Sequence, residues 1–438
     1  MKKRNFPLLL ILLIGGGMAS CGNINKNVAS IPAVWCSDRC GSDTLNSYEV
    51  FIPEREKADQ TLPLLVILDP HGNGKASLLH FKLAAEHYPA VLVASNLVKN
   101  NLPGYEDVVQ KLIEDVRTKY PVGKVILLSG FSGGARMAIG YAMNHPVNGL
   151  ILSGALAGPD ELRKVGCLVY SISGTDDFNF METAQYLFQE ATIPENLKIE
   201  FINTSHGWPD SLTLASAVGF VQLACSETLG LSVGKVLEKD FVKQQTEKID
   251  SFRNQGDLLN SMLMSRNMST TAPFNNEKSF AASYNALKAS PAYAAQMSLL
   301  MQNLQFEYQV RQPYLEALQT KNTEWWKKEL VKIDLQIQTA TTPFARDANR
   351  RIKAFFGIAC YSYCRQASQS HNATALNQVL PIYRMLEPEN PDMFYFSAIA
   401  KYWEGSHNDA KFQLKKAIDA GFSDLANIHR DMPALTNY

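Results

Sequence analysis

The sequence has no excess of charge: lysine plus arginine number 42 and aspartate plus glutamate number 42. With no global field to gather a polyanion, nucleic acid is excluded as the general partner. Histidine is scarce, at 8 in 438 residues, and none stands near a cysteine pair at ligand spacing. Zinc is therefore disfavoured, and no metal or other cofactor is expected. Long apolar runs are also missing. The run FPLLLILLI near the start is shorter than the about 20 residues that a membrane span requires.

What the first residues do have is order. Lys2, Lys3 and Arg4 precede that run, and small residues ending in GGGMASCG follow it, the three-part layout of a secretory signal. The segment MASC resembles a bacterial lipobox. The resemblance implies cleavage before Cys21 and acylation of that cysteine, with residues 1–21 a lipoprotein signal peptide and 22–45 a tether. It places the chain in the cell envelope, anchored to a membrane by lipid, with its bulk in the periplasm or at the surface. Gly22 stands where an aspartate would imply inner-membrane retention, so the outer membrane is expected. Of the six other cysteines, Cys36 and Cys40 lie near enough in sequence to bridge in an oxidising compartment. Cys360 and Cys364, one helical turn apart, have poor bridging geometry, and Cys167 and Cys225 read as buried thiols.

From about residue 46 the pattern changes. Short runs rich in Val, Ile and Leu (SYEVFIP, LPLLVILDP, AVLVASN, KVILLSG, GLILSGAL, CLVYSISG, LKIEFINTS) alternate with stretches of helical periodicity. Continuous apolar strands between amphipathic helices predict a parallel sheet covered on both faces, an α/β domain over residues 46–226. A linker is expected at 227–240. Beyond it the strands stop, and residues 241–438 read as an all-helical domain. Residues 386–424 resemble a tetratricopeptide repeat of about 34 residues, with Ala398, Ala410 and Ala417 where packed helices need small side chains and Gly405 at the turn. An upstream pair resembles a second copy, its second helix interrupted by Pro381. Trp325, Trp326 and the methionines of SMLMSRNM read as core fillers.

Chemistry gathers in the first of these regions. Gly130, Phe131, Ser132, Gly133 and Gly134 form G-x-S-x-G directly after a predicted strand and directly before a predicted helix. Such a corner presents the serine Oγ at the carboxyl edge of the sheet. A serine needs a base to take its proton and an acid to orient that base. The chain supplies both in order: Asp176 and Asp177 follow the strand CLVYSISG, and His206 follows the strand LKIEFINTS. The order Ser, Asp, His after successive strands resembles the α/β-hydrolase fold, and HGWP resembles the histidine loop of serine esterases of the dienelactone hydrolase and polyhydroxybutyrate depolymerase type. The resemblance implies Ser132 as nucleophile, His206 as base and Asp177 as acid, with Asp176 the alternative. It also implies an oxyanion hole from the amide of Gly133 and that of Asn73 or Gly74 in the H-G-x-G stretch, where Gly72 allows close approach and His71 shapes the loop.

The reading that follows is a lipid-anchored serine esterase, with a small ester or an acylated polymer as substrate and peptidase activity as a further possibility. Too few residues separate the strands GLILSG and CLVYSISG to hold a lid. The alternative is a binding lipoprotein whose helical repeats take a protein or peptide partner while the sheet is a scaffold. On either reading the strands from 47 to 205 are expected to close a core by themselves, leaving the helical half as a separate surface.

Overall fold

The structure is a computed structural model describing residues 30–188, 193–229, 235–422 and 424–435. The expected signal peptide with Cys21, the first part of the expected tether and part of the expected linker lie outside the described residues. Strands β1 (Val34–Cys40), β2 (Asp43–Ile52), β3 (Leu62–Leu68), β4 (Val91–Ser95), β5 (Val122–Phe131), β6 (Gly149–Ser153), β7 (Leu168–Gly174) and β8 (Leu197–Ile202) form one sheet in the order β1-β2-β4-β3-β5-β6-β7-β8. The pairs β1–β2 and β2–β4 are antiparallel and the rest are parallel. This is the strand order of the α/β-hydrolase fold. Helices α1 (Gly74–His87), α2 (Tyr105–Lys119), α3 (Gly133–Asn144), α4 (Pro159–Leu162), α5 (Phe180–Ala184) and α6 (Ser211–Thr228) lie between or after the strands. Alternation along each strand feeds two cores: Leu64, Val66 and Leu68 face α2 and α3, whereas Leu65 and Ile67 face α1 and α6.

Strand β1 falls inside the stretch read as a tether. Its burial alternates along polar residues, so it lacks the apolar run that marks the other strands. What holds it is a polar cluster against α2. Lys119 bridges Asp38 (3.2 Å) and Asp115 (2.8 Å), and Asp115 also accepts from the Gly41 amide (2.8 Å) and the Tyr48 hydroxyl. Cys36 and Cys40 lie on this one strand, separated by about 13 Å at strand rise, too far to bridge. They and Cys167, Cys225, Cys360 and Cys364 are free thiols.

After the sheet come α7 (Lys235–Asn254), α8 (Leu258–Ser269), α9 (Lys278–Lys288), α10 (Pro291–Thr320), α11 (Thr323–Thr339), α12 (Pro343–Gln369), α13 (Ala373–Leu386), α14 (Pro391–Trp403), α15 (His407–Asp419) and α16 (Leu425–Asp431). The first four do not form a separate body. Leu259, Met262, Leu263, Leu300 and Leu304 join the core on one face of the sheet, and Phe241, Ile249, Met264, Met268 and Phe280 join the other. Helix α8 straddles the β8 edge, where Asn260 Oδ1 accepts from the Phe201 amide (3.2 Å). Asn267 takes both backbone groups of Ile199 with its side-chain amide (3.3 and 2.9 Å). An open edge is thereby closed by side chains instead of by another strand. The core that strands 47–205 were expected to close without the helical half instead extends on both faces into α7–α10.

A third core, from Ala317 to Leu435, belongs to the helices alone. Trp326 is fully buried there, with Trp325 packed against it. Helix α14 packs on α15, Ala398, Ala410 and Ala417 are buried, and Gly405 turns the chain between the two helices with φ +78°. Pro381 does not interrupt its helix: α13 runs through it from Ala373 to Leu386. The ring removes one hydrogen bond, and the apolar face of Leu376, Val379, Leu380 and Tyr383 keeps the helix packed.

Candidate active site

Strand β5 runs into Ser132, whose backbone is held at φ 52° and ψ −116°, and α3 begins at the next residue. A non-glycine residue in that region is strained, and the surroundings fix it there. The Ser132 amide donates to Ser153 O (2.8 Å), and the flanking glycines let strand and helix touch. A Cβ on Gly130 would lie 2.3 Å from the Gly134 carbonyl, and one on Gly134 would lie 2.0 Å from Leu68 O. A Cβ on Gly133 would lie 1.7 Å from Asn100 Oδ1. Backbone on the other side requires glycine at 130 and 134, whereas the neighbour of Gly133 is the end of the Asn100 side chain.

His206 reaches this corner from the loop after β8. Its Nε2 is 3.0 Å from Ser132 Oγ, and its Nδ1 is 2.9 Å from each carboxylate oxygen of Asp177. Asp177 is buried on the loop after β7, where it also accepts from the Asn179 amide (2.8 Å). Asp176 turns the other way, to Arg350 (3.0 Å). Burial and the neighbouring Asp347 carboxylate push its pKa above the usual range, against the pull of Arg350. Of the two neighbouring acids, the structure brings Asp177 to His206. The imidazole lies between two rings, Phe131 at 4.7 Å and Phe178 at 4.2 Å.

The H-G-x-G stretch forms the loop between β3 and α1. Gly72 adopts φ +71°, and a Cβ there would meet Asn96 O at 2.9 Å. Gly74 is packed against Ala94 O, at 2.7 Å from a built Cβ. Asn73 caps α1, its side chain accepting from the Ala76 amide (3.3 Å). The His71 side chain is 81% exposed, with Nδ1 3.7 Å from Asp69, and it makes no bond to Ser132, Asp177 or His206.

Several residues that the motifs did not mark organise this site. Asp69, at the end of β3, accepts from the amides of His71 (2.8 Å) and Asn73 (3.3 Å) and from Trp208 Nε1 (3.2 Å). One carboxylate thus ties the H-G-x-G loop to the histidine loop. The signals were present as an acid directly before Pro-His-Gly and a tryptophan directly after His-Gly. Trp208 also packs on Phe131 (5.5 Å) and stacks on His80 (5.7 Å), whose pKa burial lowers. Asn179 holds the acid loop to Gly154 O (2.8 Å). Among the described residues, no helix is long and apolar enough to cross a membrane, and no group of His, Cys, Asp and Glu is placed to hold a metal ion.

No family model matches the sequence, and a search of curated proteins finds no match. Solved structures match part of the chain. The serine hydrolase FphF of Staphylococcus aureus is 13% identical over 43% of this chain and 98% of its own, with a TM-score of 0.36. Est1E from Butyrivibrio proteoclasticus is 12% identical over 44% of this chain and 99% of its own, with a TM-score of 0.34. XC6422 from Xanthomonas campestris, described as an α/β serine hydrolase without a lid, is 19% identical over 43% of this chain and 93% of its own, with a TM-score of 0.33.

Proposed function

We propose that the protein is a serine hydrolase that cleaves esters through an acyl-enzyme on Ser132. The observation that carries this reading is the continuous chain from Ser132 Oγ through His206 to Asp177, at 3.0 and 2.9 Å, set at a strained strand-to-helix corner. His206 Nε2 takes the Oγ proton as Oγ attacks the acyl carbonyl, while Asp177 accepts from Nδ1–H and stabilises the imidazolium. The Gly133 amide, in the first turn of α3, faces the oxygen as it gains negative charge. The second donor comes from the loop at Asn73 and Gly74; the 3.3 Å bond from the Asn73 amide to Asp69 is long enough to be shared with a developing oxyanion. The imidazolium then protonates the leaving alkoxide. Water activated by the same histidine releases the acid and frees Ser132.

Phe131, Phe178 and Trp208 give this site aromatic walls suited to an apolar acyl or alkyl group. Only α4 lies between β6 and β7, which suits an ester borne on a larger molecule. The N-terminal signal and lipobox pattern support anchoring through Cys21 in the cell envelope, at the outer membrane. A fatty-acid probe should label the wild type and leave Cys21→Ser unlabelled; equal labelling would remove the anchor.

The test of the activity is a fluorophosphonate followed by peptide mapping, on protein lacking residues 1–21. Label is expected at Ser132 in the native protein and not in the heat-denatured one, and no label means that the sheet is only a scaffold. A panel of p-nitrophenyl acyl esters and aminoacyl anilides then separates the chemistries. Faster turnover of the esters is expected; faster turnover of the anilides would make the protein a peptidase.

A further inference from the structure

Asp177 sits on the short loop between β7 and α5, and the sheet half holds only part of that loop. The Asp177 amide donates to Gly174 O (3.1 Å), and Asn179 bonds Asp177 and Gly154 O. The carbonyls on either side of the acid are held from the helical half. Arg351 on α12 donates through Nη1 to Thr175 O (2.6 Å), and Arg311 on α10 donates through Nη2 to Phe178 O (2.8 Å). Glu307, fully buried on α10, joins the two guanidinium groups, lying 2.6 Å from Arg311 and 2.8 Å from Arg351. Arg350 pairs with Asp176, and the Arg351 guanidinium lies 4.5 Å over the Phe180 ring. Phe178, whose carbonyl Arg311 holds, is one of the two residues whose rings pack against His206.

Taking a carboxylate and two guanidinium groups out of water is costly, so apolar packing would dock these helices at lower cost. What apolar packing cannot do is donate hydrogen bonds to two loop carbonyls. A guanidinium can: Arg351 turns its Nε and Nη2 to Glu307 and its Nη1 to Thr175 O, and Arg311 shares Nη2 between Glu307 and Phe178 O. We infer that Arg311 and Arg351, bridged by Glu307, are positioning residues for Asp177, so that the helical half sets the geometry of a triad it does not contribute to. The inference rests on the reading of Ser132, His206 and Asp177 as that triad. Residues more than a hundred positions downstream in sequence then become a condition for the proton transfer at Ser132.

The test uses the full chain and two readouts: the rate of fluorophosphonate labelling at Ser132, and the far-downfield proton resonance of His206 Nδ1–H. Arg351→Met and Arg311→Met are each expected to slow labelling by about 100-fold, the scale of a displacement of roughly 1 Å at a reacting group. Each should also weaken or abolish the resonance while leaving a single sharp melting transition. Arg311→Lys keeps one donor without the fork and should recover part of the rate; it serves where a methionine variant does not fold. Lys353→Met, which breaks the ion pair to Asp334 elsewhere on α12, should change neither readout. A folded Arg351→Met or Arg311→Lys protein with wild-type labelling and an unchanged resonance would overturn the inference. A wild type that is not labelled at Ser132 would instead overturn the triad reading itself.

Discussion

Helices α8 and α14 are 12 and 13 residues long, and both are buried along most of their length, yet they belong to different cores. Helix α8 lies against the β8 edge, sending Met262 and Leu263 to one face of the sheet and Met264 and Met268 to the other. Helix α14 buries Met393, Phe396 and Ile399 among other helices. The unit that folds together is therefore defined by the core its residues share and not by where strands give way to helices. By that measure α7–α10 belong with the sheet, and the helices from α11 onward are the separate part. The 30-residue α10 joins the two: Leu300 and Leu304 lie in a sheet core, and Ala317 and Leu318 lie in the helical one.

Truncation breaks this comparison most severely. A chain of residues 30–235 removes α8 and exposes the Ile199 and Phe201 backbone groups along with much of both sheet cores. It is expected to be aggregated or unfolded by circular dichroism, whereas a chain of residues 30–320 should melt cooperatively. The longer fragment lacks Arg351, so its labelling at Ser132 should be weak even though it folds. A soluble, folded 30–235 fragment would show that the sheet half is independent after all.

The site comes next. Ser132→Ala, His206→Ala and Asp177→Asn should each lower ester turnover by about 10⁴-fold or more with the melting temperature little changed. Asp176→Asn should cost far less, because Asp176 pairs with Arg350 and not with His206. A reversed order of the two aspartates in a turnover assay would reassign the acid.

A smaller effect sharpens the role of α8. Asn267→Leu keeps a similar volume but leaves the Ile199 N–H and C=O without partners, which should destabilise the fold by about 1–3 kcal/mol in urea titration. The same substitution at exposed Asn254, the last residue of α7, should cost under about 0.5 kcal/mol. Equal losses at the two positions would mean that the edge bonds contribute nothing.

The layout of the candidate site was legible in the sequence because its residues are confined to loops that follow strongly apolar strands. Once KVILLSG, CLVYSISG and LKIEFINTS read as parallel strands, Ser132, Asp177 and His206 fall at the same sheet edge. The helical contribution was not legible. The polar residues of α8 (Asn260, Ser261, Ser265, Arg266, Asn267) are buried, and nothing in a one-dimensional pattern says that asparagines face an open strand. The arginines of α10 and α12 likewise look like solvated charges until Thr175 and Phe178 are seen beside them. Strand β1 was missed because its hold is a polar cluster on α2, which leaves no apolar period to read.

The last expected effect concerns Lys198, which the strand β8 carries into the interface with α8. Its ammonium donates to Glu195 O (2.8 Å) and Thr270 Oγ1 (2.7 Å), so the lysine spans the join between the sheet and the end of α8. Burial, helped by the positive charge of Arg266, lowers its pKa to about 7 from an ordinary value of 10.5. Below about pH 7 the lysine is charged in both the folded and unfolded chains, and the folded state bears the whole cost of burying that charge. Between about 7 and 10.5 the folded protein has released the proton and the unfolded chain has kept it. The unfolded state then binds more protons, so stability rises with pH across that window, by up to about 1.4 kcal/mol per unit. The measurement is the stability gap between the wild type and Lys198→Met at pH 7, 8 and 9. The wild type should gain on the variant at each step, by about 1–3 kcal/mol in total over the two units. A gap that stays constant with pH would mean that Lys198 remains charged in the fold, with water or Glu195 solvating it, and that the join between sheet and α8 is wetter than its packing indicates.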